Sequence, residues 1–167
     1  MSLLSVMLAG LFLPLFPLSI VFNQVLGLLP HPVLRAGLLL LWPQVGVALV
    51  LWLGEKPPAW VSVWAILTAL MYALRLLEVR DVHRWIGFLQ CSLLWLWFQA
   101  SAQRPTIVAS ALGFTVPLAL TAFLAAGLDR RFGAAYTHLY GGLASLMPRF
   151  STVLTLNVLA AIATPLF

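Results

Sequence analysis

Residues 33–53 read VLRAGLLLLWPQVGVALVLWL and residues 59–77 read AWVSVWAILTALMYALRLL, with only GEKPP at 54–58 between them. Each apolar run carries a single charged residue, Arg35 or Arg75. Each is long enough to cross an apolar layer of about 30 Å, which takes roughly 20 residues of helix. Two consecutive prolines, Pro57 and Pro58, do not continue a helix. The pattern is two spanning helices joined by a short polar turn.

The same pattern extends in both directions. Residues 3–22 carry no charge, and Pro14 and Pro17 should kink that helix. The stretch lacks a basic n-region and an A-x-A site, so it reads as a span and not as a cleavable leader. Leu29-Pro30-His31-Pro32 is a turn. Downstream, spans are expected at 85–98, at 106–128 and from Phe150 onward. Residues 134–149 contain Gly141-Gly142 and Pro148, and read as a surface or re-entrant connector. The expectation is an all-α, polytopic integral membrane protein with about six transmembrane helices, or five and a partial one. It forms one domain, with two N-terminal spans in 1–58 and the rest in 59–167.

Composition agrees. Hydrophobic types make up 63% of the 167 residues and charged types 8%, against roughly 25% charged in soluble domains. Mean hydropathy is +1.06. A chain this apolar cannot cover itself with a wetted surface, which excludes a soluble enzyme and a disordered protein. The net charge of +5 rests on only nine Lys and Arg, too few for a nucleic-acid interface. The lone cysteine, Cys91, excludes an intramolecular disulfide and a Cys-rich metal site. Basic residues set orientation. Arg35, Arg75, Arg80, Arg84, Arg130, Arg131 and Arg149 fall in or beside the odd-numbered loops, and Lys56 and Arg104 in the even ones. The N-terminus is then outside, with the basic loops cytoplasmic, as in an inner or cytoplasmic membrane.

Residues 75–84 hold six of the sixteen ionisable side chains. Glu78, Asp81, His83, Arg84 and Arg75 could form a proton relay, because ionisable groups at membrane depth are expensive and histidine titrates near neutral pH. The plainer reading is a wet loop whose basic flanks fix topology, with Arg75 snorkelling to the headgroups. Arg80, Arg130, Arg131 and Arg149 are candidate contacts for lipid or partner subunits. Gln44, Ser62, Thr68, Gln90, Ser92, Ser110, Thr115, Thr121, Thr155 and Asn157 should join helices by hydrogen bonds. Gly87, Gly113 and Gly127 should allow close helix contacts. The seven tryptophans read as interfacial belts and packing. His31 and Arg35 read as interface anchors, and His138 as a surface residue. No nucleophile–base pair, phosphate loop, dinucleotide fingerprint or metal-ligand spacing is present, so no cofactor is expected.

Three sets of segments carry a likeness: LYGGLASLMPR at 139–149 with LAAIATP at 159–165, LTALMY at 67–72 leading into RDVHRW at 80–85, and FLAAG at 123–127. They resemble the antiporter-like membrane subunits of respiratory complex I and the related Mrp-type cation/proton antiporters. The likeness covers 59–167 and is most specific in the GGL segment. It implies a helical subunit working with other membrane subunits in a proton-coupled assembly. It also implies losses. His83 stands where the family has a lysine, and Thr115 and Ala119 stand where it has a histidine and a lysine. Autonomous pumping is therefore not expected, and a structural or anchoring role is. The rivals are a residual proton half-channel or small transporter built on His83, Asp81 and Glu78, and a scaffold for a pigment or cytochrome complex. No catalytic site of its own is expected, at most a non-catalytic place in an oxidoreductase or proton-coupled complex.

Overall fold

A computed structural model describes residues 3–53, 58–101, 107–136 and 143–163. These residues are helical, with one isolated antiparallel bridge between Asp81 and Tyr136. The helices are α1 (Leu3–Phe12), α2 (Ser19–Leu28), α3 (Pro32–Leu53), α4 (Ala59–Glu78), α5 (Val82–Ser101), α6 (Ile107–Phe132), α7 (Leu143–Leu146) and α8 (Pro148–Ala163). His138, Gly141-Gly142, Lys56 and Arg104 lie outside the described residues.

Three helices are long and apolar enough to cross a membrane: α3, α4, and α6 over Ala111–Phe132. Six such helices are not found among the described residues. The shortfall has three causes. The expected first span is two helices of 10 residues each. The fourth, α5, is 20 residues long but carries His83, Arg84, Gln90 and Ser92. The last, α8, is described over 16 residues, from two residues before the expected start at Phe150 to the end of the described residues.

The first span is broken, not kinked. Pro14 and Pro17 lack backbone N–H groups, and residues 13–18 leave the helix between them. Such a break exposes polar backbone that must find partners away from water. Distant helices supply them. Trp42 Nε1 on α3 donates to the Leu11 carbonyl at 3.0 Å, and Trp64 Nε1 on α4 donates to the Phe16 carbonyl at 2.6 Å. The Phe16 N–H donates to Thr68 Oγ1 at 3.2 Å. At the first turn of α2, Ser19 Oγ and Tyr72 OH are hydrogen-bonded at 2.7 Å. Two of the expected belt tryptophans thus serve the chain break instead.

The other joints use close approach and single polar clips. On α3, a Cβ at Gly46 would sit 2.8 Å from Leu13 Cγ and 3.1 Å from the Leu13 backbone nitrogen, so α1 packs there only because the residue is glycine. On α5, a Cβ at Gly87 would sit 2.5 Å from Asn23 Oδ1 on α2. Gly113 and Gly127, expected to act likewise, have no such close neighbour. Asn157 of α8 donates to the Pro117 carbonyl and to Thr121 Oγ1 of α6, at 2.7 and 2.6 Å. Gln90 of α5 donates to the Leu39 carbonyl of α3 at 3.2 Å. Ser92, Thr115 and Thr155 instead bond carbonyls of their own helices. α6 is the central element: 56% of its span is buried, against 28% for α4. Ile66, Leu67, Leu70, Leu74 and Leu77 of α4 face outward, an arrangement suited to an apolar surrounding.

Overpacking a close joint destabilises by about 1–3 kcal/mol. Gly46→Ala should therefore lower the thermal unfolding midpoint in detergent, because the clash includes backbone. Gly113→Ala, with open space around it, should leave the midpoint unchanged or raise it.

Candidate functional site

The polar residues that matter collect at one end of the bundle. There the starts of α3 and α5 meet the ends of α2, α4 and α6. Asp81 precedes α5, and its carboxylate accepts the His83 N–H at 3.0 Å, an N-cap bond on an otherwise unpaired donor. Gly133 terminates α6 with φ +78, and its N–H donates to the Asp129 carbonyl at 2.8 Å. Only glycine takes that conformation freely, and it closes a helix end in the usual left-handed way. The chain then doubles back, and the Val82 N–H donates to the Ala135 carbonyl at 2.9 Å. This short return segment sets the start of α5 against the end of α6.

That setting creates the central contact of the site. The His83 imidazole Nε2 lies 2.5 Å from Asp129 Oδ2, joining α5 to α6 across 46 residues of sequence. The pair is half-buried, with 18% of the His83 side chain and 38% of the Asp129 side chain exposed. Arg84 lies 3.8 Å from Asp81, a loose pair on a mostly exposed side chain.

Beside these groups opens a cavity of about 720 Å³. Arg75, Asp81, His83 and Arg84 line it, as do Arg35 of α3, Asn23 and Gln24 of α2, and Tyr72 of α4. Arg35 also closes the end of α2, its Nε–H donating to the Leu29 carbonyl at 2.7 Å. Three arginines thus face one aspartate. A smaller neighbouring space of about 220 Å³ is lined by His31, Arg35, Asp129 and Arg130.

The five expected relay residues are therefore divided. Arg75, Asp81, His83 and Arg84 share the cavity, whereas Glu78 is exposed at the end of α4 and outside its lining. Arg80 is exposed between α4 and α5. Arg130 and Arg131 belong to the last turn of α6, not to a loop, where cations suit the helix dipole. Arg131 Nη1 points at Met147 Sδ, 3.0 Å away. Arg149 is exposed at the start of α8. Sequence reading missed Asp129 as the partner of His83, and missed Arg35, Asn23 and Gln24 as lining. The one available signal for Asp129 was a carboxylate beside Arg130 and Arg131 at a span end.

Chemically, the arrangement can hold or pass a proton at one end of the bundle. Further along α6, Thr115 and Thr121 donate to carbonyls of their own helix. No group of three His, Cys, Asp or Glu is placed to hold a metal among the described residues. No protein-family profile, curated protein or solved structure matches the chain.

A double-mutant cycle tests the α5–α6 contact. His83→Ala and Asp129→Ala should each lower the unfolding midpoint. Their coupling should be about 1 kcal/mol, in the range of partly exposed pairs. Additive effects would show that the contact contributes nothing.

Proposed function

We propose that this chain is an integral membrane subunit without its own catalytic site, working inside a larger ion-translocating assembly as a structural or anchoring piece. In this reading α1 and α2 together make one discontinuous crossing, and α3, α4, α5, α6 and α8 make the other five. The N-terminus is outside, and the basic end faces the cytoplasm of a bacterial-type inner membrane. The observation that favours the structural role is the confinement of the paired ionisable groups to one end. Conduction across about 30 Å of apolar layer needs titratable or water-lined groups along the way, and α6 carries none between Ile107 and Leu128. The resemblance of residues 59–167 to antiporter-like subunits supplies the kind of assembly. Arg80, Arg130, Arg131 and Arg149 then meet headgroups or a peripheral partner at the basic end.

The His83–Asp129 pair beside an open polar cavity favours a second reading. The chain would contribute one mouth of a proton path whose remainder belongs to a neighbouring subunit. His83→Ala separates the two. Under the structural reading the assembly forms and proton coupling is unchanged. Under the half-channel reading the assembly forms and coupling is lost. The subunit reading itself is tested by mild-detergent purification of the tagged chain with mass spectrometry of its companions. Membrane subunits in fixed ratio are expected. A chain that comes away alone would overturn it.

A further inference from the structure

We propose that the cavity at the basic end binds the phosphate group of an anionic phospholipid. Its cationic wall comes from three helices: Arg35 on α3, Arg75 on α4 and Arg84 on α5. The facing carboxylate, Asp81, already caps α5 and touches Arg84 only loosely, at 3.8 Å. Arg75 has no ion pair among the described residues. The cavity therefore carries a surplus of guanidinium groups, whose forked donors match phosphate oxygens. Asn23 and Gln24 add amide groups from α2. The lining also includes apolar side chains, among them Leu28 and Phe88. A free phosphate or a soluble phosphoester would satisfy the arginines and leave those side chains unused. An amphiphile uses both, with its headgroup among the arginines and its glycerol and upper acyl carbons against the apolar side chains. The helix ends that form the cavity lie where headgroups lie if α3 and α4 cross the bilayer.

This inference does not rest on the subunit reading, because the lipid would be held by the chain's own residues. The test is native mass spectrometry of the full chain in mild detergent, titrated with phosphatidylglycerol or phosphatidylcholine. Phosphatidylglycerol should be retained preferentially. Arg75→Gln should weaken its retention about five-fold, the effect of roughly one basic residue near an anionic headgroup. Arg84→Gln, on a side chain 78% exposed and so safe for folding, should weaken it by a similar factor. Arg149→Gln, outside the cavity at the same end, should weaken retention clearly less than either. Equal retention of the two lipids, or an equal loss with Arg149→Gln, would overturn the site. Full displacement of the lipid by millimolar inorganic phosphate would overturn the lipid assignment and make the ligand a free phosphate.

Discussion

Backbone polarity is the constraint on which the rest of this bundle depends. In an apolar layer each N–H and carbonyl that leaves a helix needs a partner within the protein. Pro14 and Pro17 create that need near the N-terminus, where α1 ends and α2 begins. The donors that meet it, Trp42 and Trp64, belong to α3 and α4. The break is thereby tied to two of the three helices long and apolar enough to span, which fixes where α1 and α2 run. The glycines follow from the same geometry. The end of α1 packs on α3 where Gly46 leaves room, and α2 packs on α5 where Gly87 does. Resuming as α2 after the break also brings Asn23 and Gln24 to the polar end, where they line the cavity.

The helices themselves were readable because length and apolar composition are local properties. Spans at 33–53 and 59–77 become α3 (Pro32–Leu53) and α4 (Ala59–Glu78) with little change. The outcome at Pro14 and Pro17 was not readable. Proline marks where a helix is disturbed, but whether the chain resumes in line depends on donors 31 and 48 residues away. The tryptophans misled for the same reason. An indole at a span end suits an interface belt, and it equally suits a carbonyl freed by a distant proline. The end of α6 was misjudged because Asp129, Arg130 and Arg131 look like a loop, whereas the two arginines favour the C-terminal end of a helix.

The polar end shows a similar division. The dense run 75–84 announced itself as the place where ionisable groups gather, and four of its five suspected relay residues do share a cavity. Their roles were not announced. Asp81, a candidate proton carrier by type, is occupied as a helix cap. Its position immediately before α5, with the His83 N–H in reach, is the ordinary one for an aspartate at a helix start. Asp129 had no local signal linking it to His83, because the link depends on Gly133 turning the chain back toward the start of α5.

The balance between holding and conducting turns on this one end. Two features that would serve a proton path, a histidine–carboxylate pair and an open polar cavity, occur together there. Both also serve assembly. The pair fastens α5 to α6, and the cavity concentrates arginines whose positive charge is better matched by a bound anion than by a travelling proton, since three guanidinium groups raise the electrostatic energy of any added positive charge. A proton entering beside Arg35, Arg75 and Arg84 would need a compensating negative partner. Asp81 is engaged by the helix start and Asp129 by His83. On electrostatic grounds the cavity therefore suits an anionic occupant, which would neutralise the excess of guanidinium groups at this end of the bundle.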